Sequence, residues 1–255
     1  MNDSLGKAPA GEQDGGPVRM SRQELRSSLW LASLYAIRML GLFLVLPVFA
    51  LHARQLPGGD DPAWVGFAFG AYGLTQALFQ LPLGMLSDRL GRKKVIYLGL
   101  AVFAAGSFIA AAADSVAWLL IGRAVQGAGA VSAAVTALLA DLTRDEVRTR
   151  AMASIGLTIG LTFAASMVAS PLLTRYLGVP GLFALTGGLC VLALGVVAWV
   201  TPNPQRGKFH EDAEMQTSRI GEVLHNKRLM QLNFGIFALQ AVMMAVFASL
   251  PIVMR

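Results

Sequence analysis

A single cysteine, Cys190, stands in the 255 residues. It excludes an intramolecular disulfide and any cysteine-based metal cluster, and its place inside an apolar run reads as core packing. Charge is scarce as well. Only 14% of residues are Asp, Glu, Lys or Arg, against 55% hydrophobic, where soluble domains carry roughly a quarter charged residues. A soluble globular domain is excluded, and the chain is expected in a bilayer. Residues 1–28 contain Gly, Pro and charge but no apolar core of the kind a cleavable signal peptide needs. They are read as a disordered tail. Carboxylates are missing from the middle of every apolar run, since Asp88, Asp114 and Asp141 all sit at run ends. Gly-rich phosphate loops, paired mid-helix carboxylates and metal-ligand clusters are also absent from the sequence. No enzyme activity, cofactor or metal is therefore expected.

What the sequence does contain is apolar length. Six runs, at about 29–51, 64–86, 94–113, 116–139, 151–174 and 179–200, approach or exceed the ~20 residues that carry a helix across a hydrocarbon core. A seventh begins near Leu229 and is still apolar at Arg255. The expected fold is an all-α membrane protein. Its expected parts are the tail (1–28), a six-helix transmembrane unit (29–200), a polar cytoplasmic linker (201–228) and a seventh helix (229–255) belonging to an incomplete second bundle. An Arg followed closely by Gly recurs in the first and fourth runs, as RMLG (38–41) and RAVQG (123–127). This is a short trace of the three-plus-three inverted repeat built into many transporter folds.

The net charge of +6 is distributed by connection. Lys7, Arg19, Arg22 and Arg26 lie in the tail, Arg89, Arg92, Lys93 and Lys94 in the second connection, and Arg144, Arg148 and Arg150 in the fourth. Arg206, Lys208, Arg219, Lys227 and Arg228 fall in the sixth, whereas the alternate side holds only Arg54 and Arg175 before Arg255. The positive-inside rule places the N-terminus and the basic connections in the cytoplasm. The charge is a topology signal, and nucleic acid is not an expected partner. Small residues at helix-packing spacing, Gly66 with Gly70, Gly156 with Gly160 and Gly127 beside Gly129, are expected to mark helix contacts, because helices in lipid associate by close backbone approach.

The densest motif is GMLSDRLGRKKVI, Gly84 to Ile96. Gly84 allows helix approach and Gly91 a tight reversal, while Asp88 is a carboxylate set among cations. Gly84, Leu86, Asp88, Arg89, Gly91, Arg92 and Lys93 fill the places of a spaced pattern that resembles the signature loop of the major facilitator superfamily. RAVQGAG (123–129) resembles a second signature of that family, and LGLFLVLP (40–47) resembles the first-helix signature of its drug-exporter branch, with Ala50 where a second Pro is usual. The runs RMLGLFLVLP, AYGLTQALFQLPLG and RAVQGAGA are most similar to the YajR-type exporters of that superfamily.

The resemblance implies the N-terminal half of a twelve-helix fold. It implies a conformational latch of Gly84, Asp88, Arg89, Gly91 and Arg92, with Arg92 paired to Asp141 at the end of the fourth span. It also implies a central cavity faced by helices one, two, four and five. Arg123 and Arg38 are coupling or substrate candidates, because a guanidinium within a span costs at least ~2.5 kcal/mol unless it pairs, snorkels or meets a water-filled cavity. Gln126 shares the face of Arg123. Tyr72, Gln76 and Gln80 form one polar stripe at i,i+4 spacing and Thr158, Thr162 and Ser166 another, and both are cavity candidates, although Gln side chains can also join neighbouring helices and Ser or Thr their own backbone.

The function this implies is secondary active transport of small, amphiphilic molecules, by proton-coupled efflux with alternating access, in an inner membrane. The expected partners are a small-molecule substrate, protons, the lipid bilayer and a second helix bundle. Two features stand against the exporter pattern. In the fifth run Pro171 follows Ser170 and precedes Leu172, Leu173 and Thr174, a degraded antiporter signature. No carboxylate is available mid-span as a proton carrier, and His52 lies near a run end. Import, a half-size homodimer and a ligand receptor that does not transport stay open on the sequence.

Overall fold

The computed structural model describes residues 20–129, 131–200 and 225–253. Most of the expected tail and linker, 1–19 and 201–224, lie outside the described residues. The described residues form helices joined by short turns, with no strand among them.

Helix α1 (Arg22–Phe43) starts inside the segment read as tail. Ser21 accepts from the Glu24 amide at 3.1 Å and the Glu24 carboxylate accepts from the Ser21 amide at 2.8 Å. This capping box satisfies two amides at the helix end, so residues 22–28 are helical and the disordered-tail reading does not extend to them. The first apolar run then breaks at residues 44–48 before a short helix α2 (Phe49–Ala53). Pro47 has no amide to give and crowds the preceding turn. Beyond it the Val48 amide turns to the Val45 carbonyl at 3.2 Å, and the Leu44 carbonyl takes the Ser170 hydroxyl at 2.6 Å.

Helix α3 (Pro62–Leu90) opens with an Asp61 cap and Pro62 in its first turn. Gly91, at φ +97, alone joins it to α4 (Arg92–Ala111). The fourth run is two helices, α5 (Val116–Ala128) and α6 (Ser132–Asp141), separated at the glycine-rich GAGAV segment. Helix α7 (Asp145–Val200) holds the fifth and sixth runs, divided at Gly178 (φ 67, ψ 173). The chain reverses there. Ala151 and Ile155 share a core cluster with Cys190, Ala193 and Val197, while Val179 and Phe183 pack at the other end with Val45 and Val116. Helix α8 (Lys227–Val253), capped by Asn226, touches α2, and most of its described side chains are exposed.

The bundle pairs α1 with α7, α3 with α5, and α4 with both α5 and α7. Glycine sets how closely α4 and α5 run. A Cβ on Gly106 would fall 2.2 Å from the Gln126 amide nitrogen, and one on Gly129 would fall 2.4 Å from the Gly99 carbonyl oxygen. Gly127 lies equally close to α3, with a Cβ position 2.1 Å from the Tyr72 carbonyl oxygen. The other two pairs expected to mark contacts behave differently. Gly66, Gly70, Gly156 and Gly160 have nothing within 4 Å of an added Cβ. Spacing alone does not tell a contact face from an open one.

By length and mean hydropathy, three stretches among the described residues could cross a membrane: Arg92–Ala111, Val116–Asp141 and Asp145–Gly195. The last contains two of the expected spans. Helices α1 and α3 fall short of that measure. Helix α1 ends at the Pro47 break and carries Arg38, and α3 carries Tyr72, Gln76 and Gln80. Around the bundle, large apolar side chains such as Phe67, Leu74, Leu157 and Val168 are exposed. This suits a solvent as apolar as the side chains themselves.

Basic residues gather where α1, α4 and α7 begin, called here the basic end. There the Glu24 carboxylate also accepts from Arg144: from its amide at 3.1 Å, its Nε at 2.9 Å and its Nη2 at 3.2 Å. These bonds hold the start of α1 against the α6–α7 turn. The Arg144 guanidinium, aided by the Ser21 contacts, lowers the Glu24 pKa to about 2, against the opposing effect of burial.

Two outcomes are expected from thermal unfolding of the full-length protein. Gly127→Ala should destabilise it by about 1–3 kcal/mol, the usual range for forcing a group into packed structure, whereas Gly66→Ala should leave stability unchanged or raised. Because the folded-state pKa of Glu24 is depressed, the pair contributes stability above the ordinary carboxylate range and loses it as pH falls toward about 2. The destabilisation caused by Glu24→Gln should therefore be equal at pH 7 and pH 6 and shrink below about pH 4.

Candidate functional site

Polar side chains collect in two places, a charged cluster at the basic end and a neutral network around two buried guanidiniums. The charged cluster is built on the single-residue turn at Gly91, which brings the last turn of α3 and the first residue of α4 together. Arg92 pairs with Asp88 through Nη1, and the same nitrogen donates to the Ser87 hydroxyl at 2.8 Å. Its Nε donates to Asp141 at 3.2 Å, at the end of α6. Ser87 in turn donates to the Gly84 carbonyl at 2.6 Å. One guanidinium thus ties the α3–α4 turn to α6. All three charged side chains keep some contact with solvent, at 12% exposed for Arg92, 20% for Asp88 and 16% for Asp141. Arg89 is exposed. Gly84 is buried against Ala133, where an added Cβ would make an ordinary 3.4 Å contact. Its approach is close without being one that only glycine permits.

Inside the bundle, Arg38 on α1 donates to the Ser132 hydroxyl on α6 at 2.5 Å and to the Gln76 side-chain carbonyl on α3 at 3.0 Å. Arg123 on α5 donates to Gln126 at 2.6 Å, and Gln126 donates to Ser107 on α4 at 2.8 Å. The Arg123 guanidinium also lies 4.5 Å from the Tyr72 ring centroid and 5.7 Å from that of Phe49. Each of the two arginines is only 2% exposed. Neither snorkels to an interface, and the hydrogen bonds found for them go to neutral side chains.

The α3 stripe therefore faces inward over its whole length: Tyr72 lies under Arg123, Gln76 accepts from Arg38, and Gln80 lines a cleft beside them. That cleft, about 460 Å³, lies between α1, α3, α6 and α7 and is lined by residues including Tyr35, Gln80, Ser132, Thr136, Arg148 and Met152. The stripe on α7 is not brought to it. Thr158 donates to the Ser154 carbonyl of its own helix at 2.8 Å, and Thr162 and Ser166 are buried elsewhere. His52 sits half-buried in α2.

Sequence reasoning missed Ser87, Ser107, Ser132, Arg148 and the Glu24–Arg144 pair. A capping-box spacing at Ser21 and Glu24 was the one available signal. The serines lie within motifs or apolar runs, and only the folded neighbours give them partners.

The sequence profile of the Major Facilitator Superfamily matches residues 31–255. The chain is 46% identical over 233 residues to the inner membrane transport protein YajR of Escherichia coli (strain K12), covering 91% of this chain and 51% of that protein. Among solved structures it resembles a bacterial homolog of the human lysosomal transporter Spinster in an inward-facing, unoccupied conformation. The TM-score is 0.72 at 15% identity, over 91% of this chain and 56% of that one. It also resembles the inward-open xylose transporter XylE of E. coli, with a TM-score of 0.57 at 17% identity, over 84% of this chain and 55% of that one. The chain thus spans about half the length of the curated relative and solved structures it matches. Built of helices joined by short turns in its described residues and matched by the family profile from residue 31 to residue 255, the chain belongs to the Major Facilitator Superfamily and is a multi-pass membrane protein.

Proposed function

We propose that the full-length protein is a secondary active transporter that exports small amphiphilic compounds in exchange for protons, and that this chain supplies its N-terminal helix bundle. The N-terminus and the basic connections lie in the cytoplasm, on the side the positive-inside rule assigns them, and the membrane is the inner membrane in which the E. coli relative is named. The observation that carries the reading is the Arg92 bridge between Asp88 and Asp141. Alternating access requires contacts at one end of the bundle that hold in one state and release in the other. An ion cluster that keeps some contact with water suits that task, because water can take up the charges as the pairs part. A buried ion pair would cost several times more to break.

Within this reading Gly84, Asp88, Arg89, Gly91, Arg92 and Asp141 form the latch. Gly91 fixes the turn, and Arg92 carries the charge that two acids share. Arg38 and Arg123 with Gln76, Gln126, Tyr72 and Gln80 form the inner wall along which substrate or protons pass. Every described acid lies in a first or last helical turn or in a connection, so the coupling role in this bundle falls to the guanidinium networks. Thr158 and Thr162 belong to the wall only if α7 turns in another state.

Asp88→Asn keeps the shape and removes the charge. In the full-length protein it should abolish proton-dependent efflux from energised vesicles while leaving expression intact, with a proton uncoupler giving the zero. A receptor that does not cycle would tolerate the change. Unchanged efflux in the variant would defeat the latch assignment.

A further inference from the structure

Among the described residues, the charge within the middle of the helices is of one sign. Arg38 and Arg123 are buried, and Arg148 lines the cleft between α1, α3, α6 and α7, while no described acid lies in the interior of a helix. Charges flanked by low-dielectric walls act over longer distances than in water. The cleft is lined by one cation, Arg148, whose ion partner Asp145 is 70% exposed, and by no acid. Ser132 joins it to the buried network, since it lines the cleft and accepts from Arg38.

Three polar atoms at this cleft lack hydrogen-bond partners: the Arg148 Nε and Nη2, both donors, and the Gln80 Oε1, an acceptor. Asp145, largely exposed, lies 2.5 Å from Nη2 as an ion pair and leaves Nε with no partner. A buried donor without a partner costs about 1–3 kcal/mol, so the site gains from a ligand that brings an acceptor. Tyr35, Met152 and three alanines of α6 supply apolar wall. The volume of about 460 Å³ is of the size that holds a small organic molecule.

We propose that this cleft takes an organic anion with an apolar or aromatic body. The carboxylate accepts from Arg148, a hydroxyl or amide hydrogen on the ligand is donated to Gln80, and the body lies against Tyr35 and Met152. A lipophilic cation would lose its hydration beside an arginine, with no carboxylate lining the cleft to replace it, and is rejected. The inference rests on the transporter reading and narrows its substrate class to organic acids.

Binding tests it apart from transport. Full-length protein in lipid nanodiscs is titrated calorimetrically with 2-naphthoate and with 2-naphthylmethylammonium, which share a ring system and differ in charge. The naphthoate should bind saturably and the ammonium should not. Arg148→Gln should weaken naphthoate binding roughly tenfold to a hundredfold, the effect of removing one charged hydrogen bond, and Arg148→Lys should restore part of it. Met152→Trp, which fills the cleft from another turn of α7, should also weaken binding and guards against a folding defect in the arginine variants. Binding of neither probe, equal or tighter binding of the ammonium, or naphthoate affinity unchanged in both Arg148→Gln and Met152→Trp would overturn the proposal. Naphthoate binding with no efflux of any compound would leave the site standing and defeat the transporter reading. Efflux of cations without naphthoate binding would do the reverse.

Discussion

Two guanidiniums buried among apolar helices impose the constraint on which the rest of the bundle depends. A cation at mid-span costs about 2.5–3.5 kcal/mol on insertion, and among the described residues no carboxylate pairs with either one. Arg38 meets the cost with two charge-assisted hydrogen bonds, each worth about 1.5–3 kcal/mol. Arg123 uses one such bond and the face of Tyr72, an interaction worth about 2 kcal/mol when desolvated. The gains match the cost only if Ser132, Gln76, Gln126 and Tyr72 are all in place. Those four side chains come from α6, α3 and α5, so the positions of three helices around α1 follow from satisfying two arginines. The glycine contacts between α4 and α5 make this possible, because Gln126 reaches Ser107 only where the two backbones run close.

The basic end is organised differently, by charge in contact with water. Arg92 and Glu24 each collect several partners, and both clusters converge on the segment from Asp141 to Asp145, where α6 gives way to α7. One anchors the α3–α4 turn there and the other anchors the start of α1. The interior network is buried and costly to disturb, whereas the end clusters keep some contact with solvent. That division suits the proposed reading, in which the bundle moves as a rigid body and makes or breaks contacts at its rim.

Much of this was legible in the sequence. The charge map separated the two sides of the helices, and the spacing from Gly84 to Lys93 located the cluster around Arg92. Arg38 and Arg123 stood out because charge is rare in apolar runs. Other features were not legible, for physical reasons. Gly66 with Gly70 has the same character in sequence as Gly127 beside Gly129, yet only the second pair meets a neighbouring backbone. Pro47 breaks its helix, whereas Pro82 and Pro171 lie within helices that continue. At the Pro47 break the Leu44 carbonyl, no longer met by the Val48 amide, is satisfied by the Ser170 hydroxyl across 126 residues of sequence. The Glu24–Arg144 pair likewise spans 120 residues, and no local pattern encodes such a distance. In the fifth-run stripe Thr158 bonds its own backbone in this structure, the alternative that Ser and Thr always carry.

The central claim is that the basic-end cluster opens and closes while the arginine network stays fixed. Hydrogen–deuterium exchange on the full-length protein, trapped in outward-open and inward-open states, tests it most directly. The account predicts that peptides covering 84–96 and 138–148 change protection together between the two states, while those covering α4 and α5 at Ser107 and Gln126 do not. Equal protection at the basic end in both states, or a change confined to the arginine network, would contradict it.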